Sequence, residues 1–379
     1  MKIGIEAERA NNPEKTGVEH YAKQLILQFA RMDSENEFVL YLRTQPEEWI
    51  KDLPKNFSYK VLPFPIFWTQ IRLSLELLLH PVDRLFVPAS AIPLYSPKNS
   101  ICTIHDAAFL FYPETFTPFM RNFLNWSYKY IGWKAKTIIV PSQATQNDLI
   151  KYYGIDERKI VVIHHGYTPQ DVIPAYEPES RFRFLDVPTS RRDMTHPANV
   201  KLPEKYVLFL STLQPRKNLE GLIQAFRLFK QHHAESNHKL VVAGRVGWKV
   251  ENILQEIERN KDIVQYLNHV TDEDRAVLYK KASAFCVPSF YEGFGMWILE
   301  AFDAGVPVIA SNVSSMPEVA EDAAEYCDPH SIQSIAQALE KVLLNKARAD
   351  ELVQKGKRRL REFSWRNCAA VTIELLKRH

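Results

Sequence analysis

Two glutamates, Glu292 and Glu300, lie in a segment whose residue types suit ligand chemistry. The run Pro288-Ser289-Phe290-Tyr291-Glu292-Gly293-Phe294-Gly295-Met296-Trp297-Ile298-Leu299-Glu300 follows the apolar stretch Ala284–Pro288 and passes into a helical pattern. Gly293 and Gly295, on either side of Phe294, let the backbone turn tightly and approach a ligand with no Cβ in the way. A helix beginning near Gly295 offers unpaired amides and a positive dipole end, which suit a diphosphate. Carboxylates repel phosphate, so Glu292 and Glu300 are expected to take the hydroxyls of a sugar and of a ribose. Acidic residues also decorate helix starts for capping and dipole reasons. That reading explains either glutamate but not two glycines, a strand end and two glutamates together.

A second cluster, Leu213-Gln214-Pro215-Arg216-Lys217-Asn218, follows the run Tyr206–Thr212. Arg216 and Lys217 at a strand end can neutralise a diphosphate and the charge that builds as it leaves. A solvated basic turn is the competing reading. His105-Asp106 ends another apolar run, where an imidazole can hold a hydroxyl or share a proton. His164-His165-Gly166 ends a further one, with Gly166 the more credible contact. Asp272-Glu273-Asp274 has the look of a D-x-D metal site. It opens a helical pattern after Thr271, however, and a cap with Asp274 as reciprocal partner is the expectation. No group of carboxylates or histidines has ligand spacing, so no metal is expected.

The elements that position these residues are read from short apolar runs alternating with amphipathic stretches, the pattern of parallel α/β sheets. Strands are expected at Lys2–Ala7, Phe38–Leu42, Leu85–Val87, Ile101–His105, Thr137–Pro141 and Ile160–His164, with helices at Val18–Arg31 and Ala144–Tyr153. From Tyr206 the rhythm restarts with YVLFLST, KLVVAG, IVQYL, AFCVP and VPVIAS. Helices are expected between them at Asn218–Gln231, Val250–Glu258, Glu273–Lys281 and Met296–Ala304. The stretch Tyr167–Pro203, dense in proline and carrying Arg181, Arg183, Arg191 and Arg192, reads as a linker or surface excursion. The expected organisation is therefore a Rossmann-like domain over 1–166, a linker over 167–203 and a second Rossmann-like domain over 204–363. Ligand sites belong at the C-terminal strand ends and in the cleft between the domains.

Composition narrows the class. The chain has 379 residues, 46% hydrophobic and 25% charged, with a net charge of +3, so no global basic field points to nucleic acid. The start, MKIGIEAER, lacks the apolar core of a secretory signal, and no window reaches the length of a membrane span. Four scattered cysteines suit buried reduced thiols in the cytoplasm. No G-x-G-x-x-G follows the first strand, which disfavours a dehydrogenase. Arg121–Lys136 mixes Trp126, Tyr128, Tyr130 and Trp133 with cations. It reads either as a helix covering a sheet with snorkelling lysines, or as a contact with anionic lipid headgroups.

The Glu292–Glu300 segment resembles the E-x7-E signature of retaining glycosyltransferases of family 4, the group 1 transferases, whose fold is GT-B. The likeness continues through Gly305-Val306-Pro307-Val308-Ile309-Ala310-Ser311 and Ser314-Ser315-Met316-Pro317-Glu318-Val319. It implies two Rossmann-like domains facing a cleft, with a C-terminal helix of about 364–379, capped by Ser364, crossing back to the first domain. By the same resemblance Gly17, Gly244 and Val270 join the donor site, with Asn268 where the family commonly has glycine. The family arginine position falls at Thr212, and Pro215-Arg216-Lys217-Asn218 is similar to a variant found in enzymes using GDP-mannose. The function implied is retaining transfer of a hexose, with mannose favoured, from a GDP- or UDP-sugar. The acceptor would be a glycan or lipid-linked molecule in cell-surface polysaccharide synthesis, with no cofactor or metal. The implied setting is cytoplasmic, with peripheral contact at the inner membrane face. A GT-B epimerase acting on a nucleotide sugar, or a silent sugar-nucleotide-binding subunit, is the alternative.

Overall fold

A computed structural model of the chain describes residues 1–12, 17–168, 201–247 and 249–378. Thr16, Trp248 and most of the expected linker, 169–200, lie outside the described residues. The chain divides into two compact units, one of Met1–Thr168 with Phe363–His379 and one of Pro169–Glu362.

The first unit is built on strands β1 (Lys2–Glu6), β2 (Glu37–Leu42), β3 (Phe57–Val61), β4 (Arg84–Val87), β5 (Ser100–Thr103), β6 (Thr137–Val140) and β7 (Ile160–Val162). They form one sheet in the order β3-β2-β1-β4-β5-β6-β7, parallel throughout. In the second unit β8 (Tyr206–Leu210), β9 (Lys239–Ala243), β10 (Val264–Tyr266), β11 (Ala284–Val287), β12 (Val308–Ser311) and β13 (Ala324–Cys327) follow the order β10-β9-β8-β11-β12-β13, again parallel. Both are doubly wound Rossmann-like sheets whose strand order reverses beside the first strand, between β1 and β4 and between β8 and β11. Every residue of β8 and β11 is buried, because helices cover both faces of a parallel sheet.

Two strands escaped the pattern reading. β3 is an edge strand whose FSYKV alternates and stays half exposed, so it lacks the continuous apolar run that marked its neighbours. In β13 the buried Glu325 interrupts the apolar signal and is held by Lys341 at 2.9 Å and Arg348 at 2.9 Å. The helices lie close to expectation, at Gly17–Met32, Gln143–Tyr153, Leu219–His232, Glu251–Arg259, Asp272–Lys281 and Met296–Asp303. Among the described residues no helix is long and apolar enough to cross a membrane.

The last helix, Trp365–Lys377, returns to the first unit and packs on Gly17–Met32. Ser364 caps it by accepting from the Asn367 amide at 3.4 Å. Lys377 reaches the buried Asp33 at 2.9 Å, and Arg84 donates to the Leu376 carbonyl at 3.3 Å. The helix start presses so close to the loop after β7 that a Cβ on Gly166 would sit 2.1 Å from the Trp365 nitrogen. Packing against Trp365 thus requires glycine at 166. Gly166→Ala is expected to cost about 3 kcal/mol or more in the first unit, since the clash is with backbone, and thermal unfolding would read the loss.

Candidate functional site

The loops leaving β8 and β11, the two strands that flank the reversal in the second unit, carry both sequence clusters. After β8, Pro215–Lys217 form one 3-10 turn and Asn218 takes a left-handed conformation, φ 57°, before helix Leu219–His232. The Asn218 side chain donates to the carbonyls of Pro288 at 3.1 Å and Pro329 at 2.8 Å. The Phe290 amide donates to the Arg216 carbonyl at 2.9 Å. The two loops are therefore laced together before any charged group is considered.

Glu292 lies at the centre. Lys217 Nζ donates to Glu292 Oε1 at 2.8 Å and to Oε2 at 3.1 Å, and Arg216 donates to Oε2 at 3.0 Å. Arg216 also donates to the Tyr291 carbonyl, and the Ser289 hydroxyl donates to Glu292 Oε1 at 2.7 Å. Arg216 and Lys217 are each only 3% exposed, which rules out a solvated basic turn. The expected phosphate cations and the expected hydroxyl-binding carboxylate are one buried cluster, so Glu292 places the cations. Behind it, the Ser314 and Ser315 hydroxyls donate to the Glu292 carbonyl at 2.6 and 2.9 Å. Phe294 is buried, and Gly295, with φ 98°, opens helix Met296–Asp303.

Glu300, on that helix, is also buried. Its Oε2 accepts from Arg275 at 2.6 Å and from the Tyr279 hydroxyl at 3.0 Å, both from helix Asp272–Lys281. Both bonds go to Oε2, and Oε1 takes none among the described residues. Arg275 and Tyr279 were missed by sequence reasoning, although their spacing of four places them on one helix face and could have flagged the pair. Thr271 caps the same helix through the expected box. Its hydroxyl accepts from the Asp274 amide at 3.2 Å, and Asp274 accepts from the Thr271 amide at 3.3 Å.

The remaining donor-side residues are placed less directly. A Cβ on Gly244, where φ is 145°, would fall 1.8 Å from the Ser211 carbonyl oxygen, so this glycine serves the crossing of two backbone segments. Asn268 stands where glycine was expected and adopts the glycine-like φ of 57°, its carbonyl accepting from the Gly244 amide at 2.8 Å. Val270 is buried just before the Thr271 cap.

In the first unit Glu6 ends β1, His105 follows β5 and Gly17 opens the helix after β1. Gly17 begins helix Gly17–Met32, and among the described residues a Cβ there would meet nothing within 4 Å. His105 follows β5, and its Nε2 lies 2.8 Å from the Pro88 carbonyl, which can only accept. The proton therefore sits on Nε2. Burial lowers the His105 pKa to about 4, with the nearby Arg9 charge acting in the same sense against the Pro88 bond. Nδ1 is also buried, and the ring packs on Tyr21 and His165 at 4.9 and 5.4 Å between centroids. The residue as a whole remains partly exposed. His165 is buried against Tyr21, and His164 packs on Phe363.

The profile described as Glycosyl transferases group 1 matches residues 191–359, and that described as Glycosyltransferase Family 4 matches residues 15–171. The O-antigen chain mannosyltransferase B of Escherichia coli is 30% identical over 282 residues, covering 74% of this chain and 70% of that one. Among solved structures, the sucrose-phosphate synthase of Thermosynechococcus elongatus superposes with a TM-score of 0.71 at 17% identity, covering 100% of this chain and 98% of that one. Anabaena HepE in complex with UDP-glucose does so at 0.67 and 17%, with 99% of each chain covered. Two Rossmann-like sheets with charged groups at a strand-order reversal define the GT-B class. The chain belongs to the family 4 glycosyltransferases, the group 1 transferases, and the enzyme class that follows is a hexosyltransferase.

Two outcomes follow from the charges. Glu292→Ala strips Arg216 and Lys217 of their shared carboxylate and is expected to destabilise the second unit by about 3–5 kcal/mol in thermal or urea unfolding. Burial raises the Glu6 pKa to about 7, with Arg9 opposing and Glu8 assisting. Between pH 4.5 and 7 the folded chain keeps a proton that the unfolded chain has lost, so this contribution falls as pH rises. Glu6→Gln should match the parent's stability near pH 4 and exceed it at pH 8, by about 3 kcal/mol at most, in thermal unfolding followed across that range.

Proposed function

We propose that this chain moves a hexose, with mannose favoured, from a nucleotide-diphosphate sugar to a glycan or lipid-linked acceptor in cell-surface polysaccharide synthesis, with retention of configuration. The observation that carries the reading is the buried Glu292–Lys217–Arg216 cluster at the reversal between β8 and β11. It supplies two cations on a rigid support where an open α/β sheet binds ligands. The likeness to an O-antigen mannosyltransferase supports the sugar and the pathway class, and the fold shared with a UDP-glucose complex supports the donor class.

In this reading residues 204–363 form the donor domain. The diphosphate meets Arg216, Lys217 and the amides at the start of helix Met296–Asp303. Because Glu292 already holds the cations, their charge is fixed in place before the leaving group develops its own. Glu300 Oε1 accepts a ribose hydroxyl, its Oε2 being anchored by Arg275 and Tyr279. Gly244 and Val270 shape the base side. The chain's own cations supply the positive charge, so the proposal includes no metal or cofactor. His105, neutral at ordinary pH, acts as a positioning residue near the acceptor side with Gly17, not as a proton carrier. The acceptor attacks from the leaving-group face, with the departing phosphate taking its proton.

A panel of nucleotide sugars tests this. The true donor at a hundredfold excess over its Kd should stabilise the chain by about 2.7 kcal/mol, and GDP-mannose is the expected best. Lys217→Ala and Glu300→Gln should cut turnover by about a hundredfold or more. Normal turnover in both variants would remove the basis of the assignment.

A further inference from the structure

Helix Met296–Asp303 carries a buried hydrogen-bond donor that the Glu292 cluster does not use. Trp297, in its first turn, is only 9% exposed. The indole Nε1 is buried and has no hydrogen-bond partner among the described residues. An indole N–H can only donate, and one left unpaired in an interior is destabilising. Such a group calls for a physical reason, and at a ligand site the reason is an acceptor that the ligand brings.

The ring is both fixed and aimed. It packs on Phe285 of β11 at 5.4 Å between centroids, and Phe285 packs in turn on Tyr279 at 5.0 Å. Tyr279 is the residue whose hydroxyl donates to Glu300 Oε2 at 3.0 Å. One aromatic row, Trp297–Phe285–Tyr279, therefore joins the indole to the anchor of Glu300. Trp297 and Glu300 are also three residues apart on one helix, which sets them on the same face. Helical side chains lean toward the N-terminus, and this one reaches back along its own first turn. Its Cε2, the carbon bonded to Nε1, lies 4.0 Å from where a Cβ on Gly295 would stand. The N–H edge of the ring thus borders the glycine turn that opens the helix.

That turn is where main-chain amides and the positive end of the helix dipole favour an anion. Glu300, on the same face, is the residue assigned to the ribose. An N–H placed between a helix start and a ribose site meets the phosphate that links the two, an acceptor whose charge strengthens the bond. We infer that the Trp297 indole N–H donates to the ribose-linked phosphate of the nucleotide, the Gly293–Gly295 turn shifting to admit that oxygen. The inference rests on the donor reading proposed above and adds to it a side chain that binds phosphate without adding charge beside the helix start.

The test keeps the two readings apart. The full chain, with its seven tryptophans labelled at the indole nitrogen, is followed by NMR with GDP, UDP, GMP, UMP, guanosine and uridine. The Trp297 resonance is the one missing from Trp297→Phe. Should that variant fail to fold, Phe285→Leu identifies the resonance through the lost ring current. A downfield move is expected with the diphosphate and the monophosphate of the base that binds, and none with its nucleoside. Trp297→Phe should weaken the monophosphate and diphosphate about tenfold, the effect of one hydrogen bond to a charged group, and leave the nucleoside unaffected. If no nucleotide binds the parent chain, the donor reading falls and this inference with it. A bound monophosphate that leaves the resonance in place, or that binds Trp297→Phe as tightly as the parent, overturns the inference alone.

Discussion

A carboxylate buried among its own cations is the interaction on which the second unit's site depends. Glu292 sits where β8 and β11 lie side by side while their following loops run to opposite faces of the sheet. Without a tie at that point two cationic side chains would lack a fixed place. With it, Arg216 and Lys217 are drawn below the surface, and the Phe290 amide ties the loops by its bond to the Arg216 carbonyl. In a poorly polarisable interior such a cluster holds its geometry strongly, since each member would be left with an uncompensated charge if another moved.

Glu300 repeats the device one helix away, with Arg275 and Tyr279 in the roles of Lys217 and Arg216. The corresponding place in the first unit is organised differently. There a partly exposed, uncharged His105, a Glu6 whose pKa is near neutrality and the Tyr21–Thr103 hydroxyl pair at 3.2 Å accompany the buried Glu8 and the Arg9–Glu19 ion pair at 3.0 Å. Both sheets thus carry ion pairs near their strand ends, and the first adds groups that are uncharged or nearly so.

Much of this architecture was legible in the amino-acid sequence because parallel strands buried on both faces leave continuous apolar runs. The strands that broke that rule, β3 at an edge and β13 with its buried Glu325, were the ones passed over. The residue types of the site were legible too, but not their pairings. Nothing in the order of residues says that Lys217 and Glu292 share a bond, since that contact is made by topology. Gly166 and Gly244 read as ligand glycines from sequence, which could not show that each is also required by a backbone neighbour distant in sequence.

The first unit is discontinuous along the chain, and that has a bearing on how it is made. Helix Trp365–Lys377, which supplies the cover for Tyr21 and His165 and fills the slot at Gly166, is synthesised only after the whole of the second unit. At ordinary rates of translation that interval is on the order of ten seconds or more. During it the first sheet has all its strands but lacks one wall, while the second unit can already close around Glu292. The order of maturation on the ribosome is therefore the reverse of the order of synthesis, and the earlier-made unit is the one that must wait.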